Sequence, residues 1–225
     1  MPTPITQDES WRVIDAVRVE VADLFDGLTP EQRRRPSLCD AWTVRDVAAH
    51  LSMAALASTG FALRTAARQG FRFDAVIREG TLAWSRGLDD AAVSGSLRGL
   101  VGVRRLAPST MWRDPLIDAL VHVHDLADPL GLPVTEHPEA AATAADWAWG
   151  RPPLGFPFLP TWRLRGLRLV ATDVDWARGA GDEVRGPVTD LLLVSTGRRG
   201  AYPRLEGPGA DRARAVVAEP KGAPA

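Results

Sequence analysis

Between Asp118 and Asp125 the chain reads DALVHVHD, two histidines and two aspartates in an otherwise apolar run. A neutral imidazole and a carboxylate both ligate zinc and other divalent first-row cations. On a helix, residues four apart are separated by roughly 40° about the axis, so Asp118 and His122 project from one face, one turn apart. Asp125, three residues beyond His122, shares that face, whereas His124 lies roughly 200° from His122 and is expected to point away. A further histidine stands upstream in WTVRDVAAHL, where His50 follows Val47 by three residues and precedes Ala54 by four, on the apolar stripe. Two histidines and one carboxylate leave a coordination position open, the pattern of catalytic rather than structural zinc sites. The same spacings also suit a hydrogen-bonded Asp–His pair on a helix surface and a solitary core histidine. Pattern alone leaves these alternatives open.

Four helical segments are expected to position these residues. The first runs from Trp11 to Leu28, with Val13, Val17, Val21, Leu24 and Leu28 at helical spacing. The second starts at Thr43, a candidate N-cap with Asp46 three residues later, and continues to about Arg68. A glycine-interrupted third segment covers Phe73 to Leu106. The fourth has Asp114 as candidate N-cap, Pro115 as first helical residue, and an end near Ala127 before DPLGLP. Four helices with short connections imply a bundle. The texture changes at WGRPPLGFPFLPTW, where Pro152 to Pro160 read as a linker or strap. Leu167, Leu169 and Ala171 then alternate as in a strand, and DWARGAGDEVRGP reads as a hairpin-like turn with a second short strand. Pro187 opens a last helix that ends at Gly197 or Gly200. The fold class expected is α+β: a bundle over 1–150, a small α+β domain over 151–220, and a disordered tail at 221–225.

With 27 basic and 28 acidic residues among 225, the formal charge of −1 offers no general attraction to nucleic acid or anionic membrane. RRR at 33–35 reads as a solvated loop. The one cysteine, Cys39, excludes an intramolecular disulfide and a cysteine-based zinc cluster, and with no evident base beside it Cys39 reads as a packing residue. Trp11, Trp42 and Trp84 read as core, and His137, in TEHPE, as exposed. No apolar run is long enough to cross a bilayer and no secretion signal is evident, so a cytoplasmic location is expected. Among the basic residues only Lys221 is not arginine, so an anion site here would use guanidinium forks.

LCDAWTVRDVAAHL together with DALVHVHDLADPLG resembles the DinB-like metal-binding helical domain of the mycothiol-dependent maleylpyruvate isomerase family. LRLVATDVDWARGAGDEVRGPVTDLLLVSTGR resembles the small C-terminal domain of many actinobacterial members. The resemblance implies a divalent metal, zinc by expectation, on His50, Asp118 and His122. The middle ligand is a glutamate in the family. Asp118 is one methylene shorter, so its helix must approach the metal more closely. Asp125 matches an acidic position that orients His122 from behind. The resemblance further implies mycothiol as thiol cofactor, held as thiolate, adding to a small electrophilic substrate that bears a carboxylate. In isomerisation the former double bond rotates and the thiol leaves; in S-transfer the conjugate stays. Arg198, in STGRRG, matches a family position that would hold substrate charge, and equally reads as a cation satisfying a helix C-terminus. The partners implied are the thiol and the substrate, with no nucleic acid or membrane, in a monomer or homodimer. Two other readings keep the fold: a non-catalytic small-molecule binder with a degenerate metal site, and a metal-dependent hydrolase.

Overall fold

The computed structural model describes residues 4–107, 110–151 and 159–218. Residues 152–158 of the expected strap, and the expected tail at 221–225, lie outside the described residues. The fold is α+β, and it divides into two compact units, Gln7–Thr135 and Glu136 onward together with the residues before Gln7. The division falls ahead of the boundary near residue 150 that the composition suggests.

The first unit is helical. Helix α1 (Gln7–Gly27) buries Trp11, Ile14, Val17, Val21 and Phe25 along one stripe, and Arg18 is buried with them. Within the polar connection that follows, α2 (Pro30–Arg33) is a single turn capped by Thr29. Arg33 is no solvated loop residue: its guanidinium lies over the Phe25 ring and donates to Asp90 Oδ2 at 2.8 Å. Helix α3 (Val44–Leu56) starts at the expected capping box, in which the Asp46 carboxylate accepts the Thr43 N–H and Thr43 Oγ1 accepts the Asp46 N–H. It ends earlier than expected. Ala57 is extended and Ser58 caps a separate helix, α4 (Thr59–Arg68), by accepting the Phe61 N–H. The third segment is likewise two helices, α5 (Phe73–Arg86) and α6 (Asp90–Gly99), because Gly87 closes one and the Asp89 carboxylate caps the next. Apolar periodicity alone could not reveal these breaks, since the stripe resumes after each.

Helix α7 (Arg113–Ala127) carries the DALVHVHD segment. Its N-cap is Trp112, not Asp114, although the Asp114 carboxylate accepts the Met111 N–H at 2.7 Å just ahead of the helix. Helix α7 packs against both α1 and α3, and α6 packs on α1 and α3. Every residue from Ala119 to Ala127 is therefore buried, including His124, which helical geometry turns away from His122. It does point away, but into protein, where its Nδ1 meets Asp128 Oδ1 at 3.2 Å.

In the second unit α8 (Pro138–Gly150) packs on α10 (Val188–Ser195), and α9 (Leu159–Arg163) and α11 (Ala210–Ala218) complete the helices. His137 is not exposed as expected. It is the half-buried N-cap of α8, and its Nε2 is buried without a hydrogen-bond partner among the described residues. The sheet has the order β2-β1-β3, with β1 (Leu167–Ala171), β2 (Ala177–Gly179) and β3 (Asp182–Gly186). Strand β1 pairs antiparallel with β2 and parallel with β3. The expected hairpin therefore joins β1 to β2, while GAGD carries the chain across the start of β1 to its other edge. That crossing needs glycine. A Cβ on Gly181, whose φ is +118°, would lie 2.2 Å from the Gly166 carbonyl oxygen. Gly181→Ala is expected to destabilise this unit by more than about 1 kcal/mol, read as a lower urea midpoint in circular dichroism.

Candidate metal centre

Three side chains from two helices of the first unit converge. His50 Nε2, from α3, and His122 Nε2, from α7, each lie 3.3 Å from Asp118 Oδ1. The His50 and His122 rings meet nearly edge-on, with centroids 4.8 Å apart. Both imidazoles are buried, and about a third of the Asp118 side chain remains accessible. The shorter carboxylate thus reaches both imidazoles because α3 and α7 pack directly on one another.

The far side of each ring is also engaged. His50 Nδ1 is 2.9 Å from Thr81 Oγ1 of α5, and His122 Nδ1 is 2.8 Å from Asp125 Oδ2 one turn along α7. Thr81 and Asp125 are fully buried. With each Nδ1–H donated to these oxygens, Nε2 is the nitrogen left for a cation, the tautomer a metal-ligating histidine requires. Trp42 packs beside both rings, with centroids 4.8 Å from His50 and 6.0 Å from His122. Its indole Nε1 is buried and unpaired among the described residues. Two neutral imidazoles and one carboxylate at these separations suit zinc or a similar divalent cation, so the donor set fits the metal that the resemblance implies.

Electrostatics bind the cluster together in the absence of a cation. Burial pushes the Asp118 carboxyl up, but the two imidazoles more than reverse this and hold it well below the usual carboxylate range. Burial disfavours charge on His122, yet Cys39, Asp118 and Asp125 together raise it well above 6.5.

Cys39, expected to be a packing residue, stands here too. Its Sγ lies 3.1 Å from Asp125 Oδ2 and 3.6 Å from His122 Nδ1. The base that sequence inspection found missing comes from α7, more than eighty positions along the chain. Thr81 escaped notice because it sits in the segment whose helix boundaries were least legible. Arg18 carried no signal beyond a break in the apolar stripe of α1. Its Nη1 donates to Asp15 Oδ1, Leu100 O and Val103 O, whereas Nε and Nη2 have no hydrogen-bond partner among the described residues. Burial pushes the guanidinium below its ordinary range, and Asp15 and Asp118 both act against that. Arg198 lies in the second unit, past the end of α10, where its Nη1 donates to the Thr196 carbonyl.

A family model described as the mycothiol maleylpyruvate isomerase N-terminal domain matches residues 14–135. The chain belongs to that family. Its fold is similar to a crystal structure of the mycothiol-dependent maleylpyruvate isomerase, with a TM-score of 0.62 and 14% identity over 93% of this chain and 97% of that one. A histidine-to-alanine mutant of that isomerase gives the same values. No curated protein matches.

Two outcomes are expected from this geometry. Thr81→Val removes the acceptor of the His50 Nδ1–H and should weaken zinc affinity about 10–100-fold, whereas Thr81→Ser should retain it, measured by competition with a chelating dye. In the metal-free protein the raised folded value of His122 contributes stability that is complete below about 6.5 and is lost as pH rises through the higher folded value. The urea midpoint of the stripped protein should therefore fall as pH rises above about 6.5, and His122→Gln should flatten that dependence.

Proposed function

We infer that the first unit binds a divalent cation, zinc by its donor set, on His50, Asp118 and His122, and works with mycothiol on a small electrophilic carboxylate. Isomerisation of the maleylpyruvate type is the preferred reaction and S-transfer its near variant. The observation that carries this reading is the approach of two Nε2 atoms to one carboxylate oxygen while both Nδ1 atoms meet oxygen acceptors behind. A bound divalent cation supplies Lewis acidity that favours the thiolate form of a ligating thiol. A thiol held there would supply the nucleophile for a polarised double bond, leaving again in isomerisation and remaining attached in S-transfer.

The chain's own residues do the rest. Asp118 is the one anionic member of the ligand set, so a divalent cation keeps a net positive charge of one, which matches a thiolate. Thr81 and Asp125 hold the rings so that neither turns when a ligand enters. Trp42 presents an apolar wall beside both rings, and a water-poor site strengthens each charge interaction within it. Arg18 offers two donors to a substrate carboxylate or to the oxygen on which charge develops, in the fork geometry that guanidinium provides.

The test is cis–trans isomerisation of maleylpyruvate by the zinc-loaded protein, followed by proton NMR with and without mycothiol. Turnover should require the thiol and should be abolished in His50→Ala together with zinc binding. Arg18→Met should keep its zinc while KM rises roughly 10–100-fold, the loss of a charge-assisted hydrogen bond of about 1.5–3 kcal/mol. Zinc-loaded protein with thiol-independent hydrolytic turnover would favour the hydrolase reading instead. Zinc binding without turnover on electrophilic acids would favour a binding protein.

A further inference from the structure

His122 has two ring nitrogens, and each faces a different cluster. Nε2 faces Asp118, while Nδ1 faces Asp125 Oδ2 at 2.8 Å and Cys39 Sγ at 3.6 Å. Cys39 Sγ and Asp125 Oδ2 are 3.1 Å apart, so sulfur, nitrogen and oxygen close a compact triangle. This is no nucleophile triad. In such triads the imidazole stands between the nucleophile and the carboxylate and uses both nitrogens. Here thiol and carboxylate crowd the same nitrogen.

We propose that Cys39, His122 and Asp125 form a second cation site, specific for a thiophilic metal such as zinc, which shares the His122 imidazole with the first. Ligands around a tetrahedral zinc, with Zn–N and Zn–O near 2.0–2.1 Å and Zn–S near 2.3 Å, stand roughly 3.3–3.6 Å apart. The sulfur–nitrogen separation already meets that spacing, and the two distances to Asp125, 2.8 and 3.1 Å, need to open by about half an ångström. Charge also balances, since a thiolate, a carboxylate and a neutral imidazole neutralise a divalent cation in a buried place where an uncompensated charge is costly. The sulfur selects zinc or copper over magnesium or calcium. Access is from the Cys39 side, because Cys39 is half-buried while Asp125 is fully buried behind it.

Binding releases the Cys39 thiol proton to solvent and replaces the Nδ1–H by a metal bond. With the first site empty, the imidazole proton moves to Nε2; with it filled, the imidazole loses that proton and bridges the two cations. The second cation is therefore the weaker, and it removes the Nδ1–H···Asp125 hydrogen bond that fixes His122. The binding claim rests on the cluster alone.

Cobalt titration of the metal-stripped full-length protein, without added thiol, tests this. Cys39 is the only cysteine, so a near-ultraviolet thiolate-to-cobalt band reports this site and no other. Beyond the first equivalent that band should grow to a stoichiometry of two, and Cys39→Ser and Cys39→Ala should lose the band and return the stoichiometry to one. Visible cobalt bands retained in both variants, with unchanged circular dichroism, would exclude misfolding as the cause. His50→Ala should lose the first-site bands and keep the sulfur band, so failure of the first site is read separately. Absence of a sulfur band in wild-type protein under excess cobalt, or two equivalents bound by the Cys39 variants, overturns the proposal.

Discussion

One carboxylate oxygen, Asp118 Oδ1, sits within 3.3 Å of two imidazole nitrogens on different helices. That contact sets how closely α3 and α7 approach. An aspartate has one methylene less reach than a glutamate, so the backbones must supply the proximity. They do so through the direct packing of α3 on α7, with α1 closing the other face of α7. The buried polar cluster would cost roughly 1–3 kcal/mol for each unpaired group. It is tolerated because every imidazole nitrogen faces an oxygen: Nδ1 meets Thr81 or Asp125, and Nε2 meets Asp118.

The surrounding helices work as a frame for this contact. The Thr43 capping box fixes where α3 begins, and with it the phase at which His50 faces inward. The break at Gly87 lets α5 and α6 take different directions, so that α5 brings Thr81 behind His50 while α6 packs along α1. Asp90, the first residue of α6, receives Arg33 and Arg45, and Arg45 also reaches the Ser85 carbonyl near the end of α5. Charged groups therefore pin the helix starts while apolar stripes fill the interior, a division that keeps the cation cluster from competing with the core.

His122 carries a double burden. Its two nitrogens look at two different sets of donors, and Asp125 belongs to both descriptions, as orienter of the ring and as neighbour of the Cys39 thiol. A residue placed to hold a ligand in one tautomer is, by the same placement, a potential ligand itself. Whether such a group acts as a support or as a donor depends on which proton leaves, and this couples the chemistry of the thiol to that of the ring.

The sequence alone determined the features that repeat within one element. Helical period placed Asp118, His122 and Asp125 on one side of α7 and His50 on the inner stripe of α3, because both depend only on the pitch of a single helix. The Thr43 cap and the strand at Leu167 were legible for the same local reason. Tertiary structure decided what lies between elements. Cys39 beside His122, Thr81 behind His50, the burial of His124, the allotment of α8 to the second unit and the parallel pairing of β3 all follow from contacts distant in sequence. No period encodes such contacts. They arise when whole helices and strands settle at one depth and rotation against each other, and that choice minimises the free energy of the entire unit rather than of any segment.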